Sequence, residues 1–447
     1  MGSTGNLIIL VVLWVIATSA FVIIQWTKQT ARCGLLLAYL FNLWLIHGLA
    51  SILYILPWYQ NYSSNVVAAG LMQSTIGMLA FTCGSLLVAP IFMKICGFYT
   101  NANVTYTPHR HLPRAYIVMG GAAYLLLYSF IGALPTANAL LAVGQQLFVV
   151  GLCLACWWAW HESNSKKIFT LLAVTLALPF FTVTSSGFIS QGVIAVIVVF
   201  TFVSSLVRSR AKVLATALVL GYLGLSVYVT YMRDRYDIRQ SVWGGEPWSE
   251  RLEEVYKSMS AMEWFDPYDD NHLKRIDARL NQNYLVGMAV TRMSLKNDFA
   301  YGETIWGACL ALIPRALWPE KPLFAGSGHL VSDYTGIMFA PGTSVGIGQV
   351  MEFYINFGTA GVIFGFLFIG IIVAVIDSVA AKGLLNGDWQ LFALLYLIGI
   401  SLLQVGGSLV EIAGSAGASV ALALIVNKHF LRHLRGQRRD PALFPTS

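Results

Sequence analysis

Six side chains in the second half of the chain have the types needed for one reaction. Arg279, Arg292, Arg315 and Lys321 are cations, and His329 and Glu352 can accept a proton. A guanidinium fork fits phosphate oxygens in two directions, so such a set suits a departing phosphate or diphosphate. Fixed cations stabilise that developing charge best where water is excluded. Glu352 or His329 would take the proton from an attacking hydroxyl, with His329 also suited to holding phosphate. Tyr354 and Asn356 flank Glu352 and could orient hydroxyl groups, and Trp243, Trp248 and Trp264 offer flat faces for a sugar ring or for packing.

These residues are positioned by an apolar chain. It is 57% hydrophobic and 11% charged, with a mean hydropathy of +0.67. Of its 28 Lys and Arg, twelve lie between Arg233 and Lys321. The other sixteen gather at alternate ends of about eleven apolar stretches, each near the length that crosses a bilayer. Lys28 and Arg32; Lys94, Arg110 and Arg114; Lys166 and Lys167; Arg208, Arg210 and Lys212; Lys382; and the basic tail mark one face, while the connections near 58–67, 134–137 and 188–189 carry no charge. By the positive-inside rule this predicts an outer N-terminus, an inner C-terminus and an odd number of spans.

The expected fold is an all-α polytopic membrane protein with about eleven transmembrane helices. Eight spans occupy 1–231, a large helical loop on the outer face 232–350, three spans 351–430, and a basic cytoplasmic tail 431–447. The spans fall near 6–25, 34–57, 68–92, 115–133, 138–160, 168–187, 190–207, 212–231, 357–376, 390–407 and 411–427. The first resembles a signal peptide at Ala17–Ala20 but lacks a basic start, so it is expected to remain as a span. The net charge of +7 is mostly inner-face loop charge beside anionic lipid, and it does not point to nucleic acid.

Other motifs argue for little. Five of the six cysteines lie in or beside spans, and Cys153 and Cys156 read as small packing residues. No zinc-type spacing, phosphate loop or dinucleotide fingerprint occurs. Glu263, Asp266, Asp269 and Asp270 surround a Pro and fit no EF-hand, so they read as a solvated acidic turn and no metal is expected.

Within the insertion, Ser249 is expected to cap a helix running to Met262, and a second continuous helix is expected from Asn271 to about Lys296. Ile276, Leu280, Tyr284 and Met288 form its apolar stripe, with Arg275 and Arg279 beside it and Asp277 placed to orient an arginine. Thr304–Ile313 is too short to span and should lie at the membrane surface or dip in and return. Pro314, Pro319 and Pro322 hold the following stretch extended, presenting Arg315 and Lys321 at headgroup depth beside Trp318. Glu352 is expected at a membrane entrance, either in chemistry or pairing with an arginine of the insertion. Glu411, between Gly406 and Gly417, reads either as facing the same cavity or as a structural hydrogen bond.

Two stretches carry a resemblance. Ile313-Pro-Arg-Ala-Leu-Trp-Pro-Glu-Lys-Pro322 resembles the IPR-x-LWP-x-KP segment of bacterial oligosaccharide repeat-unit polymerases, the Wzy-type O-antigen and exopolysaccharide polymerases. Glu352-Phe-Tyr-Ile-Asn-Phe-Gly, continuing to Gly361, is similar to the E-x-Y-x-NFG-x-x-G that opens the span after their large periplasmic loop, and Arg279-Leu280 resembles their earlier arginine segment. The resemblance implies a GT-C-like glycosyltransferase of the bacterial inner membrane. It would transfer a growing glycan from undecaprenyl diphosphate to the non-reducing end of another lipid-linked unit, without a metal or other cofactor. Its partners would be the undecaprenyl-diphosphate-linked oligosaccharide, membrane lipids and a chain-length-regulating co-polymerase. An O-antigen ligase-type oligosaccharyltransferase and a lipid-linked oligosaccharide transporter are the alternatives.

Overall fold

In a computed structural model the chain is almost entirely helical. The structure describes residues 3–27, 32–97, 106–107, 109–129, 135–207, 209–296, 298–313, 318–322, 326–339, 343, 345–434 and 437–438. The first nine α-helices are α1 (Ser3–Thr27), α2 (Leu35–Leu43), α3 (Leu49–Leu53), α4 (Ser64–Cys83), α5 (Ala89–Ile95), α6 (Leu112–Ser129), α7 (Pro135–His161), α8 (Ser165–Ser186) and α9 (Ser190–Leu206). Then come α10 (Arg210–Trp243), α11 (Trp248–Ser260), α12 (Asp270–Leu280), α13 (Gln282–Lys296), α14 (Glu303–Ala311), α15 (Ser327–Thr335), α16 (Gln349–Leu385), α17 (Trp389–Leu402) and α18 (Leu409–Ile425). Single π-helical turns join α2 to α3 and α4 to α5. Among the described residues the strands are one antiparallel pair, Tyr106–Thr107 with Gln437–Arg438.

Eight of the described helical segments are long and apolar enough to cross a membrane. Ser190–Leu206 and Trp389–Leu402 are apolar but shorter. The expected all-helical character is therefore present, with several helices long and apolar enough to span. Lipid-compatible length is also visible on the outside of the bundle: α1 exposes Ile8, Ile9, Leu13 and Ile16 on one side while Leu7, Trp14 and Phe21 are buried on the other. The boundaries move where helices outrun the hydrocarbon. Helix α10 continues twelve residues past the expected 231 to Trp243, carrying Arg233, Arg235 and Arg239 beyond the apolar part, and α16 begins at Gln349 rather than 357.

Helix α11 starts at Trp248 after Pro247, so Ser249 lies inside its first turn and does not cap it. Proline supplies the extended backbone of the cap position and ends the preceding turn. The single helix expected over 271–296 is broken at Asn281, whose backbone leaves the helical region at φ −111° and ψ 73°. Its side chain is the reason. Asn281 Nδ2 donates to Asp277 Oδ1 at 2.6 Å, and its Oδ1 accepts from the Tyr284 amide at 3.3 Å, so it serves the end of α12 and the start of α13 together. The apolar stripe read across the break accordingly splits, and α13 instead buries Asn283, Val286, Gly287, Ala289 and Met293.

This hairpin enters the bundle. A Cβ on Gly70 would lie 1.9 Å from the Asn283 carbonyl, and one on Gly287 would lie 1.9 Å from that of Val66, so two glycines let α4 and α13 touch backbone to backbone. Between them Asn283 donates to the His47 carbonyl (2.7 Å) and Ser51 Oγ (2.8 Å), and Ser74 Oγ donates to its Oδ1 (3.0 Å). The His47 ring also sits 2.8 Å from that oxygen. Three elements of the apolar bundle, the π-helical turn before α3, α3 and α4, are thus tied to one amide of the insertion.

Helix α16 bends at Phe357 and Gly358, where Gly358 takes φ +60° and ψ −148°. That region is almost closed to other residues. The bend frees the Ile355 carbonyl, which accepts from the Ala300 amide at 2.8 Å, and lets Asn356 Oδ1 accept from Gly302 at 2.9 Å. Replacing Gly358 with Ala is expected to cost about 1–3 kcal/mol. Thermal unfolding of the detergent-purified protein should show a drop of several degrees, and an unchanged transition would contradict this account of the bend.

Candidate functional site

The end of α13, the start of α14, α15 and the start of α18 converge on one polar cavity of about 260 Å³. Its wall carries Arg292, Lys296, Asp298, Glu303, Asp333 and Tyr334. Thr304 and Val410 line it as well. Among the described residues no ion pair joins its two cations to its three carboxylates. A cavity holding both signs of charge, open rather than internally neutralised, is suited to a ligand that carries charge and hydroxyl groups. Arg292 is pressed against the end of α15: a Cβ on Gly336 would stand 2.6 Å from its Nη1, and Gly336 itself needs φ +79°. The guanidinium is therefore held at a helix C-terminus, where the partial negative charge favours a cation.

Glu352 lies behind this wall and is fully buried. Its Oε2 accepts from the Leu409 amide at 2.6 Å, placing the carboxylate on the N-terminus of α18, and its Oε1 makes no hydrogen bond. Among the described residues it makes no ion pair with an arginine. A general base must touch the hydroxyl it deprotonates. Glu352 does not line the cavity, and in this arrangement it positions the α16–α18 junction instead. Asn356 likewise spends its amide inside the protein, donating to Thr304 Oγ1 and the Glu352 carbonyl, both at 2.7 Å, besides accepting from Gly302. It holds the 300–304 turn, and with it Glu303 and Thr304, against α16, leaving no amide group for a sugar. Glu411 proves to be a capping residue: it forms a reciprocal capping box with Ser408 and also accepts from Ser327 Oγ at 3.3 Å.

The other expected site residues are distributed. His329 is exposed on α15, one turn before Asp333, and does not line the cavity. Tyr354 is half-buried against the core. Lys321 Nζ donates to the carbonyls of Ile313 (2.9 Å) and Leu310 (3.4 Å), closing the C-terminal end of α14. Arg315 lies outside the described residues. Helix α14 packs on α18, with Leu312 beside Gly417, so the short apolar segment lies against a helix long and apolar enough to span. Trp264 stacks on Tyr222 with ring centroids 6.2 Å apart, and Trp243 stacks with Phe188 and hydrogen-bonds the Ser186 carbonyl. Trp248 packs on Phe181. All three make protein contacts.

Arg279 belongs to a second cluster, near the bottom of the hairpin. Burial, and then the like charge of Arg235, hold its guanidinium below the usual arginine value, with Tyr228, Tyr231 and Tyr62 acting in the opposite direction. Arg239 donates to the Gly187 carbonyl at 3.1 Å and lies over the Phe188 ring. Among the described residues, neither Arg235 nor Arg239 has a carboxylate within ion-pair distance. Arg292 stands ten residues up α13 from the break, a rise of about 15 Å, so these are two cationic places on one hairpin.

Sequence reasoning missed two features. Among the described residues no ion pair joins Asp277 to an arginine, and its hydrogen bonds run elsewhere. It accepts from Tyr54, Tyr59 and Asn61, each at 2.8 Å, and from Asn281, anchoring α12 to the α3–α4 connection. The acidic turn is also more than solvated: Glu263 accepts from Arg275 (2.6 Å), Arg233 (2.9 Å) and the His272 ring (3.1 Å), and Asp269 caps α12. Tyrosines at 54, 59 and 62 and an asparagine at 61 form a visible polar cluster, but a sequence does not say which buried carboxylate they serve.

A sequence profile described as "Domain of unknown function (DUF8712)" matches residues 60–406. The chain belongs to this family. No curated protein and no solved structure matches the chain. The matched span opens at the Asn61 cluster and ends at Gly406 beside Gln282, so it contains both cationic places and most of the cavity wall.

The Glu263 network gives a pH-dependent expectation. Burial alone would raise this carboxyl, but hydrogen bonds from Arg233, Arg275 and His272 outweigh it and bring it down to about 2 from an ordinary 4.5. A depressed folded value means the stabilisation is complete above about 4.5 and is lost as pH falls towards about 2. Glu263→Gln should therefore melt below the native protein at pH 7, and the gap should close over that window. A gap independent of pH would contradict the assignment.

Proposed function

We propose that this protein is a GT-C-like glycosyltransferase that joins lipid-diphosphate-linked oligosaccharides at the outer face of the bacterial inner membrane. The observation that carries the reading is the presence of two separate cationic places along α12–α13, Arg292 with Lys296, and Arg279 with Arg235 and Arg239 of α10. A polymerase handles two lipid diphosphates at once, one under the growing glycan and one under the acceptor unit. A ligase needs only one, so this arrangement favours the polymerase. The eleven-span topology, with the N-terminus periplasmic and the C-terminus cytoplasmic, belongs to the same proposal and rests on the alternation of basic connections.

In this reading Arg292 and Lys296 stabilise the diphosphate as the sugar–oxygen bond breaks, inside a cavity sheltered by α13–α15. The acceptor hydroxyl gives its proton to a carboxylate that faces the cavity. Asp333 and Glu303 meet that requirement, and they replace Glu352 in the role. His329, one turn from Asp333, stands where the glycan enters, and Lys321 at the end of α14 lies along the path of the lipid. The Arg279 cluster holds the second diphosphate beside Tyr62, Tyr228 and Tyr231. A chain-length-regulating co-polymerase remains a proposed partner.

A lipid-linked oligosaccharide transporter is the second reading. It is favoured by the polar residues buried within candidate spans, His47 and Asp377, and by the π-helical turn that holds His47.

The purified chain is expected to convert lipid-diphosphate-linked repeat units into a ladder of longer glycans. Arg292→Gln should lower kcat about 100-fold. Arg279→Gln should mainly raise KM for the lipid-linked unit. A full ladder from both folded variants would refute the assignment, transfer to lipid A core would mean a ligase, and movement across vesicles without any transfer would mean a transporter.

A further inference from the structure

A second cavity of about 260 Å³ lies at the other end of α16, far from the layer of α11–α15. Arg32, Arg210, Trp26, Trp157 and Asp377 line it, with Leu385 at its apolar edge. Asp377 sits 28 residues along α16 from Gln349, a rise of about 40 Å, so this cavity and the catalytic one are on opposite sides of the bundle.

Asp377 is fully buried, yet only half of it is used. Its Oδ1 accepts from the amides of Cys33 and Leu35, each at 3.0 Å, and so caps the start of α2. Its Oδ2 has no hydrogen-bond partner. A buried carboxylate oxygen left open is costly unless a donor meets it. Around it stand two guanidinium groups. Arg210 lies over the Trp26 ring at 5.3 Å and donates to the Val207 carbonyl at 3.1 Å, and Arg32 donates to Gln25 Oε1. The two tryptophans are residues suited to the boundary between headgroups and hydrocarbon. The cavity therefore offers cations for a phosphate, a deeper acceptor for a charged donor, and an apolar rim for acyl chains.

We propose that this cavity binds the headgroup of an aminophospholipid, with its phosphate on Arg32 and Arg210 and its ammonium on Asp377 Oδ2. A charge-assisted hydrogen bond from an ammonium satisfies the open oxygen more strongly than a neutral hydroxyl does, while a trimethylated ammonium cannot donate to it at all. The site is independent of the glycan reaction and would tie the α1–α2, α9–α10 and α16 ends together through the lipid.

The test is native mass spectrometry of the detergent-purified full chain, titrated separately with phosphatidylethanolamine, phosphatidylglycerol and phosphatidylcholine of identical acyl chains. The native protein should retain the ethanolamine lipid about tenfold better than the choline lipid, with the glycerol lipid between. Asp377→Asn keeps an oxygen to cap α2 but turns the open group into a donor, so it should abolish the preference for ethanolamine over glycerol. Arg210→Gln should weaken all three. Equal retention of the three lipids, tightest retention of the glycerol lipid, or an ethanolamine preference that survives Asp377→Asn would overturn the proposal. Displacement of the lipid by equimolar soluble phosphoethanolamine would overturn its lipid source. The ranking on the native protein is decisive even where a variant fails to fold.

Discussion

Everything above the apolar bundle depends on one constraint: a polar hairpin has to be buried among spans without leaving its donors and acceptors unpaired. In a medium without water each unmet group costs several kcal/mol. Helices α12 and α13 meet that condition with two residues. Asp277 collects four donors from the α3–α4 connection and from Asn281, and Asn283 exchanges hydrogen bonds with His47, Ser51 and Ser74. Because these bonds join segments more than 200 residues apart, they set the height and rotation of α13, and Arg292 and Lys296 follow from that placement.

The same logic runs through the segments behind the cavity, at the bend at Gly358 and where the break after α12 meets the unwound turn between α17 and α18. Gln282 reaches the carbonyls of Gly346 and Gly406 at 3.4 Å each, and Gln349 N donates to the Val405 carbonyl at 2.9 Å. Glu352 then closes the α18 N-terminus from inside. A carboxylate that reads from sequence as a reacting group is, in the fold, the cap that lets a helix begin within the bundle. The groups proposed to react lie instead on α13–α15, which are shorter than the spans.

Much of the architecture was legible from charge and length. Runs of apolar residues long enough to span announce themselves, and basic residues at alternate ends sort them. The Glu352–Gly361 segment was also legible as special, although its glycine and asparagine serve the bend and the 300–304 turn rather than a ligand. What sequence could not reveal depends on distant partners. Asn281 ends a helix because Asp277 is fixed by tyrosines from the other side of the molecule. Asp298 and Asp333, which stay exposed, look like solvated surface charges until the fold sets them on one cavity wall with Arg292. Asp377 was hidden for a simpler reason: a carboxylate at the end of an apolar run reads as the boundary of a span, whereas α16 continues to Leu385 and buries it.

The central claim is that the cavity walled by Arg292, Lys296 and Asp333 receives the lipid diphosphate. The most direct measurement is a structure of the full chain bound to a non-hydrolysable lipid-linked diphosphate analogue. The account predicts phosphorus density against Arg292 and Lys296, with the first sugar directed at Asp333 and Glu303. Density confined to the lipid-facing surface of the bundle, with the cavity empty at saturating analogue, would contradict it.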